Sequence, residues 1–128
     1  MFRDDRLPLK CLVVDDHRDG AEALGGYLRI LGMDVRVTFS GHAAIELAHE
    51  FRPALVVLDI NMPDLDGFET AKRLKQQRWA GKAVFVAHTG MRRESTSGAA
   101  FADFHHVLTK GDASEALVAI VDDLRRAD

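Results

Sequence analysis

A chain of 128 residues is close to the commonest size for one domain and long enough to bury a hydrophobic core. Its formal charge of −3 gives no electrostatic case for nucleic acid, and no apolar stretch reaches membrane-spanning length or follows Met1 as a signal segment. A single cysteine, Cys11, excludes an internal disulfide; its apolar neighbours mark it as a small buried side chain, and a reducing cytoplasm is the expected compartment.

One domain is expected over residues 1–128, with a core from about 10 to 126 and a loose, charged lead-in at 1–8. Cys11 to Val14 is a short apolar run, a buried strand that ends in Asp15-Asp16. Leu24, Tyr27, Leu28 and Leu31 then recur at helical spacing, and Gly32 closes that helix. Gly25-Gly26 weakens it by about 1 kcal/mol per glycine, so the expectation rests on the apolar stripe. Val35 to Phe39 alternates as a strand. Ser40 can cap a second helix with Ala44, Leu47, Ala48 and Phe51 inward, and Pro53 stops it.

Leu55 to Leu58 is an unbroken aliphatic run, as suits a strand covered on both faces, and it leads straight into Asp59. Pro63 and Asp66-Gly67 punctuate the following loop, and Asp64 reads as a turn residue there. Asp66 with Glu69 fits a capping box for a third helix from about Gly67 to Gln77. Trp79, beyond it, reads as packing or partial cover. Ala83 to Ala87 is a fourth strand ending at His88-Thr89-Gly90. Met91 to Ala102 is expected as a short or frayed fourth helix, since Ser95-Thr96-Ser97-Gly98 are poor helix formers. Val107 and Leu108 make a fifth strand ending at Thr109-Lys110. Asp112 and Glu115 form a second capping box, and Ala116, Leu117, Ile120, Val121 and Leu124 give the last helix its apolar stripe.

Strands and helices alternating five times imply an α/β fold, a doubly wound five-stranded parallel sheet with five helices. Of the few arrangements left by right-handed crossovers, the flavodoxin-like order 2-1-3-4-5 is expected. All strand tips then share one edge, which gathers Asp15, Asp16, Asp59, Thr89 and Lys110. Three crowded carboxylates repel one another unless a cation neutralises them, and a hard divalent ion such as Mg²⁺ suits an all-oxygen donor set. Lys110 adds a fixed cation and Thr89 a hydroxyl. Together they can hold the oxygens of a transferring phosphoryl group, with Asp59 as the nucleophile of an acyl-phosphate mechanism.

From Cys11 to about Arg126 the chain resembles the response-regulator receiver domain of two-component signalling. The resemblance rests on Val13-Val14-Asp15-Asp16, Leu58-Asp59-Ile60-Asn61-Met62-Pro63 with Asp66-Gly67, Thr89-Gly90, and Lys110. It implies that Asp59 is the phosphoacceptor and that Asp16, Asp59 and the Asn61 backbone carbonyl bind Mg²⁺, with Asp15 acting mainly through a metal-bound water. It implies that Thr89 and Lys110 contact the phosphoryl oxygens. It also implies a histidine kinase or histidine phosphotransfer protein as phosphodonor, a downstream protein target, no direct nucleic-acid or membrane binding, and a monomer or weak dimer. The chain would be a stand-alone receiver or part of a longer protein.

Two positions depart from the family pattern. Gly111 stands where proline usually follows the lysine, and Val107 where a tyrosine or phenylalanine often turns as a switch. Val107 has no ring to turn, so the response is expected in the backbone of Met91 to Ala102. A phosphorylation-independent pseudo-receiver is the alternative, and retention of every acceptor-site residue argues against it. A haloacid-dehalogenase-type phosphatase would need an aspartate where Asn61 stands, and a flavin module would need a phosphate-binding loop. His17, the pair His105-His106 and the pair Arg92-Arg93 read as surface or packing residues.

Overall fold

The computed structural model describes residues 8–90 and 98–127. Five strands, β1 (Lys10–Val14), β2 (Asp34–Thr38), β3 (Leu55–Leu58), β4 (Val84–Thr89) and β5 (His106–Thr109), form one sheet in the order β2-β1-β3-β4-β5. Every neighbouring pair is parallel. The expected topology is thus observed, and it puts the carboxyl ends of all five strands on one edge.

Side-chain alternation along the two central strands explains the two layers. Cys11, Val13, Leu55 and Val57 face α1 (Arg18–Ile30) and α4 (Ser114–Ala127), where they pack with Leu28, Leu117, Ile120 and Val121. Leu12, Val14, Val56 and Leu58 face α2 (Gly41–Phe51) and α3 (Gly67–Leu74), packing with Ala44, Ala48, Ala71 and Leu74. Runs without polar interruption are what a strand buried on both faces requires. Burial pushes the Cys11 thiol above its ordinary pKa, which leaves it an inert core group.

Four α-helices occur among the described residues, where five were expected. Of the expected fourth helix, Met91 to Ala102, residues 91–97 lie outside the described residues, and Gly98–Phe101 form a 3-10 turn. The lead-in expected at 1–8 lies outside them up to residue 7, and so does the pair Arg92-Arg93. The third helix ends at Leu74, not Gln77. Gln76 and Gln77 donate to carbonyls three residues back, a tightening common at helix ends, and a second 3-10 turn follows at Arg78–Lys82.

Caps account for most other boundaries. Ser40 accepts from the Ala43 amide, as expected, and α2 ends at Arg52 in the left-handed conformation, φ 53°. Asp66 accepts from the Glu69 amide, but Glu69 turns outward to pair with Arg73 at 3.1 Å, so only half of that capping box forms. The second box is corrected: the Ala113 carbonyl takes the first helical bond of α4, from Leu117, which leaves Asp112 one residue too early to cap.

Candidate phosphoacceptor site

β1 and β3 are adjacent, with Val14 opposite Leu58, so the residues that follow them emerge side by side. The Asp59 amide donates to the Val14 carbonyl and the Asp15 amide to the Thr38 carbonyl, which continues the sheet bonding into the site. Asp15 and Asp59 are buried and Asp16 is exposed; the three offer carboxylate oxygens all within 4.8 Å of one another. Lys110, one residue past β5, lies with its Nζ 2.8 Å from Asp15 and 3.5 Å from Asp59. Thr89 ends β4 fully buried, opposite Thr109, and its carbonyl accepts from the Lys110 amide. Asn61 is exposed in the loop after β3. The fold therefore brings Asp15, Asp16, Asp59 and Lys110 into one cluster, with Thr89 bonded to Lys110 through the backbone.

The electrostatics are those of a partly compensated acid cluster. Burial and the Asp15 charge raise the Asp59 pKa from 3.8 to about 6, although Lys110 and the Ile60 amide pull the other way. Burial alone would lower the Lys110 pKa, but its bonds and charge contacts with Asp15 and Asp59 outweigh that and raise it. One lysine thus offsets part of a charge that three carboxylates share. All-oxygen donors at this spacing fit a hard divalent cation such as Mg²⁺.

Three local features hold the geometry. The His17 amide donates to Asp15 Oδ1 at 2.9 Å, and His17 Nδ1 accepts from the Gly20 amide, capping α1. Asp64 does more than turn the loop: its carboxylate accepts from the Gly41 and His42 amides at 3.3 and 3.1 Å and so ties the acceptor loop to α2. Those amide bonds outweigh its slight burial and lower its pKa. Gly67 lies against the Asp59 backbone, where a Cβ would come within 2.3 Å of the Asp59 carbonyl oxygen. The Asp66-Gly67 pair showed in the sequence as punctuation. The reach of Asp64 across more than twenty residues left no local signal.

A buried strand-end carboxylate thus stands beside two further acids and a lysine. The family model "Response regulator receiver domain" matches residues 11–122, and the chain belongs to that family. The chain is 40% identical over 70 residues to the virulence sensor protein BvgS of Bordetella bronchiseptica, covering 55% of this chain and 6% of that one. It is 41% identical over 69 residues to the response regulator MprA of Mycolicibacterium vanbaalenii, covering 54% and 30%. It therefore spans less than a third of either relative. A CheY-like receiver domain from Methylobacillus flagellatus superposes with a TM-score of 0.83 at 24% identity, over 92% of this chain and 99% of that one, a likeness of fold. The receiver domain of a Pseudomonas aeruginosa sensor histidine kinase, described with a magnesium ion coordinated in its active-site cleft, gives 0.79 at 21% identity over 92% and 98%. No described helix is long and apolar enough to cross a membrane.

Proposed function

We propose that this receiver domain takes a phosphoryl group from a phosphohistidine onto Asp59 and thereby changes which protein it binds. An Asp59 oxygen attacks phosphorus, the phosphorus–nitrogen bond breaks, and the imidazole leaves with the electron pair and takes up a proton. The observation that carries this reading is the cluster itself: a buried strand-end carboxylate with Asp15, Asp16 and Lys110 all within reach. Asp16, Asp59 and the Asn61 carbonyl would hold Mg²⁺, with Asp15 acting through a water; bound there, the ion supplies positive charge to the phosphoryl oxygens. Lys110, now bonded mainly to Asp15, would swing to the phosphoryl oxygens with the Thr89 hydroxyl. Sensor histidine kinases and response regulators among the relatives support a histidine kinase, or a histidine phosphotransfer protein, as the donor.

Mass spectrometry after incubation with acetyl phosphate and Mg²⁺ tests the proposal. One hydroxylamine-sensitive phosphoryl group is expected on the wild type and none on Asp59→Asn. Equal labelling of the variant would overturn the assignment, and no labelling of either would favour an interaction module that works without phosphate.

A further inference from the structure

We infer that the sheet edge opposite the acid cluster carries a second site, a groove that binds a small nucleotide by its base and phosphate. The groove, half open to solvent, has a volume of about 680 Å³ between the loop after α2 and the turn after α3, and His49, Arg52, Gln76, Gln77, Arg78 and Trp79 line it. Both loops lead into the amino ends of strands, so the groove lies far from Asp59 in the parallel sheet. Its size is that of an ordinary small-ligand pocket.

Three observations point to the ligand class. First, the Trp79 ring is fixed in advance. One face stacks on Phe85, centroids 6.1 Å apart and planes 15° from parallel, and its Nε1 donates to Gln77 Oε1. Gln77 is itself anchored, since its Nε2 donates to the Ile45 carbonyl at 3.1 Å. A half-buried indole held this way is a platform on which a second flat ring can stack. Second, the groove is cationic in an acidic protein. No carboxylate lines it, and the Arg52 and Arg78 guanidinium groups make no ion pair or hydrogen bond among the described residues. Guanidinium forks match phosphate oxygens better than any other side chain. Third, Arg52 holds a left-handed conformation, φ 53°, that glycine or asparagine takes at lower cost. A left-handed residue commonly ends a helix, and an arginine in place of glycine at that cap sets a guanidinium at the groove. An acidic peptide would satisfy the arginines but would leave the indole platform unused.

Trp79 is the only tryptophan, so its indole N–H resonance reports on the groove alone. The test is a titration of the full ¹⁵N-labelled chain with adenosine monophosphate, free of divalent ions so that the acid edge stays silent. Adenosine, inorganic phosphate and an oligoglutamate peptide run in parallel. A saturable shift of the Trp79 indole is expected with the nucleotide, with adenosine and phosphate each binding more weakly. Arg52→Gly, which suits the observed φ, and Arg78→Ala, at an exposed position, should each weaken binding by about tenfold or more. The proposal is overturned if the nucleotide gives no saturable shift at millimolar concentration, or if both variants bind as the wild type does. Tighter binding of oligoglutamate than of the nucleotide would overturn the ligand class. Asp59 labelling is indifferent to all of these results, so this proposal and the phosphoacceptor reading fail separately.

Discussion

The two halves of the sheet are built differently. β1 and β3 are covered on both faces by the two large apolar layers, and every residue of β3 is buried. β5 is an edge strand with both ends exposed, and the layer beside it is a small cluster of Ile60, Ala87 and Phe101, flanked by Phe68, Phe104 and Val107. Asp15 and Asp59 stand on the first half, and Thr89 and Lys110 on the second. The acids are thus fixed by close-packed central strands, while Lys110, proposed to answer a charge on Asp59, follows β5, an edge strand that is only partly buried. Response to phosphate is therefore expected on the β4–β5 side.

If the stiff half holds the acids together against their repulsion, releasing one charge should show as stability. The Asp59 pKa is raised in the folded state, to about 6 against 3.8 unfolded. Stability from the protonated carboxyl is complete below the unfolded value and is lost as pH rises through the folded one. The shift corresponds to at most about 3 kcal/mol. Asp59→Asn should accordingly stabilise the metal-free protein in urea unfolding at neutral pH by up to that amount, and by little near pH 4. Mg²⁺ should raise the melting temperature of the wild type more than that of the variant, because it removes the same repulsion. Equal stability at neutral pH would show that Lys110 already balances the cluster.

Gly67 tests the same half through packing. A methyl group there must displace the Asp59 backbone, and backbone between two close-packed layers yields poorly. Gly67→Ala should cost about 1–3 kcal/mol in urea unfolding and reduce acetyl phosphate labelling of Asp59. A silent substitution would mean that the acceptor loop is softer than its burial indicates. Asp64→Ala removes two amide partners from the start of α2 and should cost about 1 kcal/mol by the same measurement. Ser40, which caps Ala43, keeps the helix from unravelling further.

The stiff half was the legible half. Aliphatic runs that end in acids announce a buried strand and its tip with no knowledge of the neighbours, and Ser40 and Asp66 mark helix starts through bonds three residues long. What was hidden depends on distant residues. β4 runs on through His88 and Thr89 because Leu108 and Thr109 pair with them. α3 stops at Leu74, and beyond it the Gln77 side chain bonds the distant Ile45 carbonyl. Gly111 was legible as a departure but not in its consequence: it takes φ 92°, a conformation closed to proline, so the backbone after Lys110 follows a path that the usual family residue could not. Val107 carries no ring, but Phe68 and Phe101, which meet edge to face at 5.1 Å, belong to the small cluster it packs against.

The smallest expected effect lies at the amino end of the β4–β5 ladder and is the sharpest test of its softness. There a side chain stands in for sheet bonding: the Phe85 amide donates to His105 Nδ1 at 2.9 Å, while the His105 amide donates to the Phe85 carbonyl at 2.7 Å. Burial holds the His105 pKa below its ordinary value of 6.5, and Lys75 and His106 add repulsion. A histidine with a depressed folded pKa contributes stability that is complete above the unfolded value and is lost as pH falls below it. The chemistry agrees, because the Phe85 bond needs the Nδ1 lone pair that protonation removes. Asp59 titrates in the same range with the opposite sign, so the measurement belongs in the Asp59→Asn background. Amide exchange of Phe85, corrected for intrinsic rates, should speed up relative to Val57 between about pH 7.5 and 5.5, and His105→Leu should remove that pH dependence. If Phe85 and Val57 instead keep a constant ratio, the ladder opens only with the whole sheet, and the two halves of the molecule are equally stiff at that end.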